Sequence, residues 1–142
     1  MILIDVNLLL YAYDASSTDH RKAIRWLDEV LLKPETVGLA WDTVLAFLRI
    51  SADPRIHTKP FTLDEAISVV TSLFERSNVT IVHATSQHWR VLTSFLPKAR
   101  VRSSLIMDAH LAALAIEHGA TLCTNDRDFA RFPGLRVEYP LQ

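Results

Sequence analysis

The hydrophobic residues fall into two kinds of segment, short apolar runs and longer stretches with helical spacing. Short runs that are apolar or β-branched are typical of strands buried in a sheet. The first run is followed directly by a charged residue, Asp5, which marks where that strand ends. The predicted strands are residues 1–4, 37–40, 79–82, 121–123 and 135–138.

Between these runs, apolar residues recur every three to four positions, as they do on the buried face of a helix. Thr62 and Glu65 form a capping box that predicts a helix start, and Gly119 predicts a helix end. Helices are expected over residues 7–13, from about residue 19 to 31, over 41–50, from 63 to 74, over 86–96 and over 105–118. The predicted buried sides of the third and fourth helices are Val44, Leu45, Phe47 and Leu48, and Leu63, Ala66, Ile67, Val70 and Phe74.

Strands that alternate with helices through short connections predict an α/β fold. We expect a three-layer α/β/α sandwich with a central, mostly parallel sheet, and the length of 142 residues suits one domain spanning residues 1–142. In such sheets, ligands bind beyond the carboxyl ends of the central strands. The residues that follow the strands are therefore the first candidates for chemistry.

Composition restricts the class of protein. Hydrophobic residues make up 49% of the chain and charged residues 22%, a balance typical of a globular fold. The net charge of -1 neither favours nor excludes a nucleic-acid partner, because an acidic site beside a basic rim would cancel in the sum. Cys123 is the only cysteine, and no apolar run is long enough to cross a bilayer. We therefore expect a cytoplasmic protein without disulfides or membrane association.

Three aspartates lie where the predicted fold converges. Asp5 and Asp126 follow the first and fourth strands, and Asp108 lies early in an apolar, alanine-rich helix. A carboxylate in apolar surroundings is costly unless it is paired or bound to a metal. Oxygen ligands of this kind select Mg²⁺ or Mn²⁺. The three acids together predict a metal site.

Each aspartate also has a structural interpretation. Asp5 could cap the helix that follows it, and Asp108 could be stabilised by the positive end of its own helix. Asp126 and Asp128 could belong to a solvated turn. The residue pattern alone leaves both interpretations open.

Four segments resemble VapC-type PIN domains, the toxins of bacterial toxin–antitoxin pairs. Residues 2–12 resemble the opening of these domains, where the aspartate at the strand end binds metal. Residues 108–120 resemble their third acidic motif and residues 121–129 their fourth, and the ending over residues 129–135 is similar as well. Any one of these motifs is common, whereas their order and separation are specific to the family.

The chain departs from the family pattern in its third helix. Related domains carry a second acid, usually glutamate, at the position that is Ala46 here. Asp42 lies four residues earlier, on the same helix face and one turn away. Asp42 is a candidate substitute, and a capping role for it is equally open.

The resemblance implies hydrolysis of RNA phosphodiester bonds by metal-activated water, with Mg²⁺ or Mn²⁺ as cofactor. It assigns Asp5, Asp108 and Asp126 as catalytic metal ligands, with Asp42 as the candidate fourth. The residues expected to orient these ligands are Asn7, Thr124 and Asp128. Asn7 and Thr124 could equally be ordinary hydrogen-bonding residues of a helix or turn.

Two basic clusters could contact the RNA backbone. Arg55, His57 and Lys59 lie in the central loop of the chain. Lys98, Arg100 and Arg102 lie in the loop that leads into the Asp108 helix. Such contacts position a nucleic acid without reading its sequence. The alternative is that they are solubilising loop charges.

The resemblance also implies a homodimer and a small VapB-type antitoxin whose tail covers the active cleft. A competing hypothesis is a PIN-like module that binds RNA or protein without cutting, because its second acid is replaced by Ala46. The retention of the other three acids opposes that hypothesis, since an idle cluster of buried carboxylates would be destabilising.

Overall fold

A computed structural model describes residues 1–142 and contains one five-stranded sheet. Every neighbouring pair of strands is parallel, in the order β3-β2-β1-β4-β5. The central strand is therefore β1, and the residue that follows it, Asp5, lies at the middle of the carboxyl edge. The strands are β1 (Ile2–Ile4), β2 (Val37–Ala40), β3 (Val79–Val82), β4 (Thr121–Cys123) and β5 (Arg136–Glu138).

Six α-helices connect and flank the strands. They are α1 (Val6–Tyr13), α2 (His20–Leu32), α3 (Trp41–Ser51), α4 (Leu63–Phe74), α5 (His88–Phe95) and α6 (Ile106–Glu117), with short 3-10 helices at Ser103–Leu105 and Arg127–Arg131. None of them is both long and apolar enough to cross a membrane.

The sheet separates two hydrophobic cores. Because side chains alternate along a strand, Ile2 and Ile4 face the core formed with α1 to α4, and Leu3 faces the core formed with α5 and α6. This arrangement confirms the predicted α/β fold and its three layers. Two alanines of α6, Ala109 and Ala112, are fully buried, which lets that helix lie close to the sheet.

Gly38 is required by the close packing of β2. A Cβ atom at this position would lie 2.6 Å from Cγ2 of Val82 and 3.2 Å from Cδ1 of Leu3. Both neighbours are held in the sheet, so neither can give way easily.

The predicted buried faces of α3 and α4 were partly wrong. Leu45 is 59% exposed, and Leu63, Ile67 and Phe74 are also exposed. The buried residues of α4 are Ala66, Val70 and Leu73. Both helices carry apolar residues on more than one face, so helical spacing alone could not tell which face meets the core. The outcome is an apolar surface on these two helices.

Candidate active site

Asp5 lies between β1 and α1 and is nearly buried, at 8% exposure. Its Oδ1 accepts a hydrogen bond from the backbone N of Val6 at 2.7 Å, so it does cap α1. Its Oδ2 accepts from Thr124 Oγ1 at 2.6 Å and from Asn7 Nδ2 at 2.8 Å. Burial raises the pKa of Asp5 despite these hydrogen bonds, and the charge of Asp126 raises it further.

Thr124 and Asn7 bring the ends of β1 and β4 together. The hydroxyl of Thr124, a fully buried residue, also accepts from the backbone N of Asp126 at 3.0 Å. Asn7 donates to that hydroxyl at 3.1 Å and accepts from the backbone N of Asn125 at 3.2 Å. Two of the three residues predicted to orient the metal ligands, Asn7 and Thr124, therefore contact Asp5 directly, whereas Asp128 contacts Asp126.

Asp108 lies in the first turn of α6 and lines a cavity of about 380 Å³ together with Asp5 and Asp42. Burial raises the pKa of Asp108 to about 6, and the charges of Asp5, Asp126 and Asp128 act in the same direction. Nearby like charges disfavour ionisation of a carboxyl group. Three of the predicted acids thus line one cavity, and the charges of Asp5 and Asp108 oppose one another.

Asp126 and Asp128 are placed differently from the other acids. Oδ1 of Asp126 accepts from the backbone N of Asp128 at 2.8 Å and caps the second 3-10 helix. Asp128 pairs with Arg131 at 2.9 Å. Asp126 affects the pKa of Asp5 and Asp108 without lining their cavity.

Asp42 and Ala46 line the same cavity as Asp5 and Asp108. Oδ2 of Asp42 is shielded from solvent and accepts no hydrogen bond of good geometry. The ring nitrogen Nε2 of His110 lies 3.0 Å away and forms an ion pair with it when protonated.

The sequence predictions missed Arg49, which also lines the cavity. They also missed His110, which lies two residues after Asp108. The available signal for Arg49 was its position seven residues after Asp42, two turns along the same face of α3.

The basic residues divide into two groups. Arg55 pairs with Asp53 at 2.9 Å, and Lys59 lines a separate cavity of about 620 Å³ that His57 also lines. Neither of them lines the cavity of the aspartates. By contrast, the loop before α6 carries three exposed basic residues that form no ion pair, namely Lys98, Arg100 and Arg102.

The donor chemistry of the cavity fits a divalent metal ion. Asp5 and Asp108 offer oxygen ligands whose raised pKa values fall when a cation offsets their charge. No group of three or more acidic, histidine or cysteine side chains converges closely enough to hold an ion. Asp5 and Asp108 are therefore the pair around which an ion would be held.

Comparison with known proteins identifies the family. The family model for the PIN domain matches residues 2–135, nearly the whole chain. The chain belongs to the PIN-domain family. PIN-domain ribonucleases depend on metal ions in general, which agrees with the chemistry of the cavity.

Curated relatives of this PIN domain are named VapC ribonucleases. Ribonuclease VapC37 of Mycobacterium tuberculosis is 36% identical over 140 residues, which cover 99% of this chain and 97% of the relative. Ribonuclease VapC33 of the same species is 34% identical over 142 residues, which cover 100% and 99%.

Solved structures share the fold of this PIN domain at lower identity. FitAB bound to an IR36 DNA fragment is 20% identical with a TM-score of 0.73, covering 100% of this chain and 96% of that one. VapBC-1 from nontypeable Haemophilus influenzae is 18% identical with a TM-score of 0.72, and both chains are covered completely.

Proposed function

We propose that residues 1–142 form one PIN domain that hydrolyses RNA phosphodiester bonds with Mg²⁺ or Mn²⁺ and acts as the toxin of a toxin–antitoxin pair. The observation that carries this proposal is the cavity that Asp5 and Asp108 share at the carboxyl edge of the sheet. Relatives of matching length that are named ribonucleases support it.

The chain's own residues have distinct parts in this reaction. Asp5 and Asp108 would hold the ion, and Asp126 adds negative charge that favours it. Thr124 and Asn7 fix the Asp5 carboxylate so that both of its oxygens keep their orientation. A bound divalent ion lowers the pKa of water and offsets the charge that develops on the phosphate.

Arg49 gives the cavity a cation that can pair with a phosphate of the substrate. The exposed basic loop before α6 leads toward the same cavity and would carry the RNA backbone, through Lys98, Arg100 and Arg102. We assign a smaller part to Arg55 and Lys59, because neither of them lines the cavity of the acids.

We further propose that the protein forms a homodimer and binds a small VapB-type antitoxin. Exposed apolar side chains on α3 and α4 support an interface there, since Trp41 is 49% and Leu45 59% exposed. The ring of Trp41 packs edge-on against Phe74 with centroids 6.3 Å apart, which gives this surface a rigid aromatic pair. Similar structures are described as VapBC complexes, some of them bound to DNA.

Ala46 favours a second candidate function, an RNA- or protein-binding module that no longer cuts. One experiment separates the two functions: brief expression in a bacterial host, followed by mapping of new RNA 5′ ends. Asp108→Asn is the matched variant, because it removes the charge and keeps the side-chain shape. Discrete 5′-phosphate ends present only with the natural protein support the ribonuclease. Growth arrest by both proteins with identical end maps supports the binding module.

A further inference from the structure

A chain of side-chain contacts runs from the cavity into the packing between α5 and α6. It begins at Oδ2 of Asp42, which lies 3.0 Å from Nε2 of His110. Nδ1 of the same ring lies 2.8 Å from Nε2 of His88. His88 then contacts the carboxylate of Glu117 through its own Nδ1. Four side chains on three helices are thereby linked in sequence.

The inner end of this chain is firmly held. The side chain of Glu117 is 1% exposed, and its Oε1 accepts from the backbone N of Thr85 at 2.9 Å and from the hydroxyl of Thr85 at 2.6 Å. These hydrogen bonds and that of His88 hold the pKa of Glu117 below its usual value, although burial acts to raise it. A carboxylate only accepts, so Nδ1 of His88 donates to it and Nε2 faces His110.

The two histidine rings meet edge-on, with centroids 4.7 Å apart and planes at 77°. Each ring uses one nitrogen to contact the other ring and its second nitrogen to contact a carboxylate. Neither His88 nor His110 can rotate without breaking a contact at both of its nitrogens. The chain therefore fixes the orientation of the ring that faces Asp42.

The outer end lies in the proposed active site. Asp42 lines the cavity together with Asp5 and Asp108. Position 46, where related domains carry an acid, also lines the cavity but is an alanine. Oδ2 of Asp42 is shielded and has no hydrogen bond of good geometry, and its polar contact is with Nε2 of His110 at 3.0 Å. This contact holds the carboxylate when the two rings together carry one extra proton, because Nδ1–H of His88 is donated to Glu117 and Nδ1–H of His110 to His88. Without that contact, the side chain could turn on the first turn of α3 to other rotamers.

We propose that His110 is a positioning residue that holds the Asp42 carboxylate toward the cavity, where Asp42 replaces the acid absent at Ala46. His88 and Glu117 hold the ring of His110 in turn. The inference rests on the proposed metal-dependent function. A tether that only joins α5 to α6 would stabilise the fold without changing the affinity of the cavity for a divalent ion.

The test is the affinity for Mn²⁺, measured from the electron paramagnetic resonance signal of free Mn²⁺ and without any RNA. We expect Asp42→Asn and His110→Phe each to weaken binding about 10-fold or more, as loss of an orienting partner typically does. The variant that carries both changes should bind Mn²⁺ as well as the weaker-binding of the two single variants does, because both changes remove the same interaction. His110→Gln should bind more tightly than His110→Phe, because its amide nitrogen can take the place of Nε2.

A matched control is available directly after the C-terminal end of α6. Nε2 of His118 lies 2.7 Å from the backbone O of His83 and tethers α6 without any link to Asp42. His118→Phe should therefore keep the Mn²⁺ affinity of the natural protein even if its Tm falls. Equal weakening by His118→Phe and His110→Phe would overturn the proposal, since both would then act through the stability of α6.

The remaining outcomes separate this inference from the proposed function. If His110→Phe binds Mn²⁺ as tightly as the natural protein while Asp42→Asn binds it more weakly, only the positioning role of His110 is overturned. Natural affinity in Asp42→Asn overturns the part assigned to Asp42, and natural affinity in Asp108→Asn overturns the metal site itself. If His110→Phe does not fold, His88→Phe replaces it, because His88 does not line the cavity. Weaker Mn²⁺ binding by His88→Phe supports the linked contacts from Glu117 to Asp42, and unchanged Mn²⁺ binding overturns them.

Discussion

Replacing Asp108 by asparagine is expected to stabilise the metal-free protein while removing its activity. In the fold, the pKa of Asp108 rises from its ordinary value of 3.8 to about 6, mainly through burial and then through the charge of Asp5. A group whose folded pKa is raised binds more protons in the folded state than in the unfolded state. Its ionisation therefore opposes folding fully above about pH 6, and this opposition disappears as the pH falls toward 4.

The size of the effect follows from the shift. A difference of about 2 pKa units corresponds to about 3 kcal/mol, and solvent screening of a half-buried side chain reduces this to roughly 1 kcal/mol. An opposing contribution comes from the helix dipole, which favours a negative charge in the first turn of α6 by about 0.3–1 kcal/mol. We expect burial and the charges of the neighbouring aspartates, which both raise the pKa, to outweigh the dipole at Asp108.

Urea unfolding in the presence of a chelator measures this prediction. Near pH 7.5, Asp108→Asn should unfold at a higher urea concentration than the natural protein. In thermal unfolding at the same pH, its Tm should be higher by about 3–5 °C per kcal/mol. Near pH 4, the two proteins should converge. Asp64→Asn is the matched control, because Asp64 also lies in the first turn of a helix but is exposed. It should lower stability slightly through the lost dipole interaction. A lower stability of Asp108→Asn at pH 7.5 without metal would refute the reasoning.

Three further predictions follow from the packing and hydrogen bonds. Gly38→Ala should lower the free energy of unfolding by about 1–3 kcal/mol without changing the urea m-value, because its Cβ would clash with Val82; unchanged stability would contradict this packing. Thr124→Val should weaken Mn²⁺ binding about 10-fold to 100-fold, because Asp5 loses a 2.6 Å hydrogen bond, whereas Thr124→Ser, which keeps the hydroxyl, should bind as the natural protein does. Burial raises the pKa of Cys123 to about 12, so a thiol reagent should label it at pH 8 only in urea; rapid labelling of the folded protein would show that the site opens.

The position of Asp5 could be predicted because the apolar run before it is typical of a buried strand. Its cavity partner Asp108 could be predicted because a carboxylate among alanines and leucines requires a special role. The side-chain directions could not be predicted in the same way. Asp126 turns to cap a 3-10 helix, and only the path of the chain after β4 determines that.

Long-range contacts account for the other omissions. Glu117 lies seven residues after His110, on the same face of α6. The sequence spacing therefore indicated that these two members of the linked contacts lie on one side of the helix. His88 enters only because α5 packs against α6, and nothing in the local sequence indicates this packing. The exposure of Leu45 has a similar cause, because the amphipathic pattern of α3 allows more than one buried face.

The most direct test of the central claim is cleavage of end-labelled RNA by the purified protein with Mn²⁺ and with a chelator. We predict fragments with 5′-phosphate ends only with Mn²⁺, and none from Asp5→Asn or Asp108→Asn. The His118→Phe variant, which lies outside the cavity, should still cleave. Fragments that persist in the chelator, or that form equally with the two aspartate variants, would contradict the assignment of these acids to a metal-dependent ribonuclease site.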